Sequence, residues 1–146
     1  MTAAYQDNPA LECAGGEDNQ EPDRIRVVVA DDSENAMRAI CALIELEPQV
    51  EVIGRARDGV EAIVAVAKLN PDLIVMDVNM PCLDGLKTAA ILSAHFPELR
   101  IVLMSAADDP ELKTQGRLHG ADTFVPKHEL IHGLTAAIRE LYSWVT

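Results

Sequence analysis

From Arg24 onward, short apolar runs alternate with stretches in which apolar residues recur at helical spacing. The runs are Ile25–Ala30, Val50–Ala56, Leu73–Asp77, Ile101–Ser105 and Thr123–Val125. Ile25–Ala30, Leu73–Asp77 and Ile101–Ser105 are continuously apolar rather than alternating. That pattern predicts strands covered on both faces, as in a parallel sheet. Val50–Ala56 instead sets Val50, Val52 and Gly54 against Glu51, Ile53 and Arg55, which suits an edge strand.

Each run is followed by a helical pattern with its own start and stop signals. Asp32 and Ser33 can both cap a first helix presenting Ala36, Met37, Ile40, Leu43 and Ile44, stopped by Pro48. A second begins near Asp58-Gly59 and runs through Glu61–Leu69 until Asn70-Pro71. A third follows Asp84-Gly85 to about His95. A fourth has Asp109 as cap and Pro110 in its first turn, and ends at Gly120. The last is expected from about His128, with Leu130, Ile131, Leu134, Ile138 and Leu141 on one face.

Five strand-then-helix units imply right-handed crossovers and a parallel sheet with helices on both sides. The expected fold class is α/β, a flavodoxin-like doubly wound five-stranded parallel sheet of order 2-1-3-4-5 with five helices. One domain, residues 24–146, accounts for the periodic part of the 146-residue chain. Residues 1–23 are rich in Gly, Pro, Asn and acids without periodicity, and such a composition is expected to form a disordered acidic N-terminal tail.

Charge narrows the range of partners. The net charge is −12, and no cluster of Lys and Arg offers to neutralise phosphates, so no nucleic acid and no anionic membrane is expected as a partner. The acids Asp7, Glu12, Glu17, Asp18, Glu21 and Asp23 crowd the first two dozen residues. Cys13, Cys41 and Cys82 lack metal-ligand spacing and suit free thiols in a reducing, cytoplasmic compartment. No signal peptide and no apolar stretch of about 20 residues is visible.

In an open parallel sheet, functional groups gather at the carboxyl ends of the strands. Here those ends carry Asp31-Asp32, Asp77, Ser105 and Lys127. The expected strand order sets Asp31-Asp32 beside Asp77, with Ser105 and Lys127 on the next two strands. Three carboxylates within roughly 5 Å of one another repel pairwise by about 3 kcal/mol at an effective dielectric of about 20. Such a cluster is partly protonated or holds a cation, and all-oxygen ligation by few protein groups favours Mg²⁺. A carboxylate nucleophile, a divalent ion, a lysine and a hydroxyl are the parts of a phosphoryl-transfer site. Taken singly, each residue has a plainer reading as cap, turn or loop; their arrival at consecutive strand ends is the signal.

The segments VVVADDSE, LIVMDVNMPCLDGL, IVLMSA and GADTFVPK resemble the four signature segments of response-regulator receiver domains, the CheY-like family. The resemblance spans about Arg24 to Tyr142. In ARDGVEAI and FPELRIVLMSA it is similar to receivers of the NarL/FixJ type. It implies Asp77 as phosphoacceptor, with Asp31, Asp32, Asp77 and the Asn79 backbone carbonyl holding Mg²⁺. It also implies that Ser105 and Lys127 engage the phosphoryl group, with Ser105 and Phe124 as switch residues.

By the same resemblance the donor is a histidine kinase or histidine phosphotransfer protein, and the output goes to a downstream protein target. A phosphorylation-dependent homodimer is compatible with it. The chain is then a stoichiometric acceptor rather than a turnover enzyme. Three alternatives stand beside this reading: the receiver portion of a longer transcription regulator, a haloacid-dehalogenase-like phosphatase, and a flavodoxin. The phosphatase wants a second Asp where Asn79 stands. The flavodoxin wants a phosphate loop where Asp31-Asp32 would repel one.

Departures from the family are few. Pro126 precedes Lys127 and His128 follows it, whereas many receivers place Pro after the Lys. Ala107 offers no side chain to steer a water. His128 and His132 stand four residues apart on the expected last helix, where a solvated face is the plainer reading than a metal site. Met37, Met76, Met80 and Met104 follow core spacing.

Overall fold

The computed structural model of the protein describes residues 24–107 and 109–142. The N-terminal segment, Cys13 and Trp144 lie outside the described residues. Ten main elements alternate: β1 Ile25–Ala30, α1 Glu34–Glu45, β2 Val50–Ala56, α2 Gly59–Leu69, β3 Leu73–Asp77, α3 Gly85–His95, β4 Arg100–Ser105, α4 Pro110–Leu118, β5 Thr123–Pro126 and α5 Leu130–Tyr142. A single 3₁₀ turn, Lys127–Glu129, joins β5 to α5.

All five strands are parallel, in the order β2-β1-β3-β4-β5. This is the flavodoxin-like order, and β2 occupies an edge, as its alternation implies. The pairing of β1 with β2 shifts register between Val27 and Val28, so Val27 faces Val52 and Val28 faces Gly54.

Period-two alternation divides the strand residues between two cores. Val27, Val29, Leu73, Val75, Val102 and Met104 point to the side covered by α1 and α5, against Ile40, Ile44, Leu134 and Ile138. Val28, Ala30, Ile74, Met76, Ile101 and Leu103 point to the other side, against Ala62 and Val66 of α2 and Ala89 and Leu92 of α3. Because both faces are filled, the three central strands are apolar almost throughout. Functional groups are therefore pushed to the sheet's ends.

The last helix departs from expectation in two ways. It begins at Leu130, with Lys127, His128 and Glu129 in the 3₁₀ turn, so His128 and His132 do not lie on one α-helix. Ile131, expected on the buried face, is 68% exposed. Leu134, Ala137 and Ile138 make the contact instead, and Arg139 reaches Glu47, in the turn that follows α1, with a 3.0 Å ion pair. The helix is rotated so that small Ala137, rather than Ile131, meets the sheet. Among the described residues no helix is long and apolar enough to cross a membrane.

Candidate functional site

The strand register levels the site residues. Ala30 pairs with Met76, so Asp31 and Asp77 stand one step further along adjacent strands. Asp77 pairs with Met104, and Ser105 pairs with Pro126, with Lys127 next in sequence. One ligand oxygen from each of Asp31, Asp32 and Asp77 falls within 4.8 Å of the others.

Of the two residues able to cap α1, Ser33 does so. Its hydroxyl accepts the Ala36 N–H at 3.2 Å. The Asp32 carboxylate is thereby left at the exposed rim of the cluster. Asp31 is buried, and its two oxygens are both engaged: Oδ1 accepts the Ser33 N–H at 2.9 Å and Oδ2 accepts from Lys127 Nζ at 2.8 Å. Asp77 repeats the arrangement. Its Oδ1 accepts the Asn79 N–H at 3.2 Å, and its Oδ2 accepts from Lys127 Nζ at 3.1 Å.

Three carboxylates against one ammonium leave an excess of two negative charges, which one divalent cation would balance. Burial pushes the Asp77 carboxyl above the usual aspartate range, against the opposing pull of Lys127 and the Asn79 amide. Burial also works to discharge Lys127, but the hydrogen bonds and charges of Asp31 and Asp77 outweigh it and raise its pKa. The donors are all hard oxygens, with no sulfur or imidazole among them. Such a set fits a small cation that keeps part of its water shell, as Mg²⁺ does.

Ser105 and Phe124 lie close by but outside this contact set. Ser105 is fully buried at the end of β4, and its hydroxyl accepts the Ala107 N–H at 3.0 Å. Phe124 is buried on the α2–α3–α4 side, beside Gly116 of α4. The loop after Asp77 is tightly tied: Val78 N–H donates to the Met104 carbonyl at 2.8 Å, and Gly85 N–H donates back to Val78 at 2.7 Å. Cys82, at the exposed crest of this loop, has a positive φ of 69°.

A doubly wound parallel sheet of this strand order, with an aspartate cluster and a lysine at its carboxyl edge, places the chain in the CheY-like class of α/β domains. The model of the response regulator receiver domain matches residues 27–139, and the chain belongs to that family. Protein-glutamate methylesterase/protein-glutamine glutaminase 3 of Geobacter sulfurreducens is 42% identical over 104 residues, which cover 71% of this chain but 28% of that protein. Transcriptional regulatory protein DegU of Brevibacillus brevis is 29% identical over 116 residues, 80% of this chain and 49% of that one. The chain thus spans between about a quarter and a half of these curated relatives.

Among solved structures, the signal receiver domain of the response regulator NarL from Mycobacterium tuberculosis is 30% identical with a TM-score of 0.73. That match covers 81% of this chain and 98% of the NarL domain. The response regulator domain of Thermotoga maritima CheB is 27% identical with a TM-score of 0.76, covering 84% and 99%. Two-component signalling is therefore the setting of this chain. The haloacid-dehalogenase-like and flavodoxin readings gain nothing from the match.

Proposed function

We propose that this chain is a single-domain response regulator that accepts a phosphoryl group on Asp77 in the presence of Mg²⁺. The observation that carries the reading is the cluster of Asp31, Asp32 and Asp77, with Lys127 bonded to two of the three. Asp31, Asp32, Asp77 and the Asn79 carbonyl would hold Mg²⁺. When bound, Mg²⁺ would offset charge on the phosphoryl oxygens during transfer.

The chain's own groups do the rest. An Asp77 carboxylate oxygen attacks phosphorus of a phosphohistidine; the new O–P bond forms as the N–P bond breaks, and the imidazole leaves with the bonding pair. Lys127 turns from the carboxylates to a phosphoryl oxygen. The Ser105 hydroxyl has a donor to spare, because its present bond uses it as an acceptor. It donates to a second phosphoryl oxygen without losing Ala107. Phe124 has no hydroxyl, so it responds to the space beside Ser105 by packing alone.

The outcome is a population shift rather than turnover, which makes the protein a switch and not an enzyme. The face that changes is formed by α4, β5 and α5. It holds a groove of about 300 Å³ lined by Lys113, Arg117, Phe124, Val125, Glu129 and Gly133. A downstream protein target reads that face, and a phosphorylation-dependent homodimer uses the same surface. Histidine kinases or histidine phosphotransfer proteins are the donors, in the cytoplasm.

A second reading, a receiver portion of a longer transcription regulator, finds support in the match to transcriptional regulatory protein DegU, of which the aligned part is 49%. Transfer of radiolabel from purified phosphorylated histidine kinases tests the shared claim. Label should pass to the wild type and not to Asp77→Asn; label on the variant would refute the assignment.

A further inference from the structure

We infer that Gly85, the first residue of α3, is a positioning residue for the acceptor site, holding in place the Asp77–Asn79 backbone that carries two of the proposed metal ligands. The inference rests on the phosphoacceptor reading of Asp77.

A Cβ at Gly85 would fall on the backbone of the acceptor itself. It would overlap the Asp77 carbonyl oxygen and stand 2.7 Å from the Val78 Cα. The three nearest atoms are all main chain, so relief cannot come from a flexible side-chain tip. The Gly85 N–H donates to the Val78 carbonyl at 2.7 Å, closing the loop that starts at the acceptor. On its other side, Asp84 caps α3 by accepting the Lys87 N–H at 2.9 Å, which fixes the helix end against which the loop is pinned.

The Asp77–Val78 peptide cannot shift alone. Val78 N–H is bound to Met104 of β4, and Asn79 N–H to Asp77 Oδ1. A side chain at position 85 must therefore displace the segment that carries both Asp77 and Asn79, two of the groups that would hold the cation. The overlap with the Asp77 carbonyl oxygen calls for a displacement on the order of 1 Å there, enough to alter ligand convergence.

Gly59 supplies a matched control. It is the first residue of α2, and a Cβ there would overlap the Leu83 carbonyl, at the far end of the same loop, and the Thr88 hydroxyl in α3. Gly85→Ala and Gly59→Ala thus impose similar crowding at two helix starts, and only the first touches Asp77.

The test is Mg²⁺ titration of wild type, Gly85→Ala and Gly59→Ala by isothermal calorimetry, well below each melting temperature. Both variants should melt lower than wild type. Gly85→Ala should lose ten-fold or more in Mg²⁺ affinity, and Gly59→Ala less than three-fold. Equal losses in the two variants, or wild-type affinity in Gly85→Ala, would overturn the inference.

If Gly85→Ala does not fold, the wild-type Gly85 amide resonance supplies the reading. It should move with Mg²⁺ along the same binding curve as Asn79, and a stationary Gly85 counts against the role. A wild type that binds no Mg²⁺ and accepts no phosphoryl group would remove the underlying reading. A phosphorylatable wild type with an indifferent Gly85→Ala would remove this inference alone.

Discussion

Lys127 holds its ammonium nearer to Asp31, at 2.8 Å, than to Asp77, at 3.1 Å. The lysine and the proposed cation thus draw on the same two carboxylates. Leaving one partner of a buried pair uncompensated costs about 3–5 kcal/mol. With 23% of the Lys127 side chain exposed, a cost of about 2 kcal/mol is expected from Lys127→Met in EDTA. Added Mg²⁺ should restore much of it, so the metal-induced rise in melting temperature should be larger in the variant than in wild type. Equal rises would show that Lys127 does not share the cation's place.

Asp77→Asn should have the opposite effect. It removes one of three crowded carboxylates from a largely buried position while keeping its shape. Thermal melts in EDTA should place the variant above wild type, and Mg²⁺ should then add little. A variant less stable than wild type would mean that the cluster is not under charge strain.

The rotation of α5 makes a test of packing. Leu134→Ala, at a fully buried site, should cost about 2–5 kcal/mol in urea unfolding. Ile131→Lys, at an exposed one, should stay within about 0.5 kcal/mol. If Ile131→Lys cost as much as Leu134→Ala, the helix would lie as its apolar periodicity alone suggests.

The sheet and the site were largely legible because their signals are local. Continuous apolar runs fix the central strands, and Asp or Ser marks the helix starts, where Ser33, Asp58, Asp84 and Asp109 act as caps. The Asp32–Ser33 choice was open, because both side chains can cap and only the neighbouring carboxylates separate them. The position of Ile131 is not legible locally, because the packing of Leu134, Ala137 and Ile138 and the ion pair of Arg139 with Glu47, in the turn after α1, fix how α5 lies. The pinch of Gly85 on Asp77 and the contact of Lys127 with Asp31 join distant parts of the chain. No local periodicity encodes them.

Tyr142 gives the pH dependence. Burial, then the negative charge of Asp72, pushes its phenol up to about 12, and its hydroxyl donates to the Asp72 carbonyl at 3.2 Å. A raised phenol pKa gives stability that is fully present below the ordinary value of 10.0 and is lost as pH rises toward 12. Allowing for its partial exposure, the loss should be on the order of 1 kcal/mol. Unfolding of wild type and Tyr142→Phe at pH 9 to 12 should show wild type falling relative to the variant across that window. Parallel curves would contradict the buried phenol.

The central claim is that Asp77 takes a phosphoryl group with the help of the acidic cluster. Its most direct test is the intact mass of the protein after incubation with acetyl phosphate. Wild type with Mg²⁺ should gain the mass of one phosphoryl group, and the gain should vanish in EDTA and in Asp77→Asn. An adduct that persists in Asp77→Asn, that ignores the removal of Mg²⁺, or that never forms on wild type would contradict it.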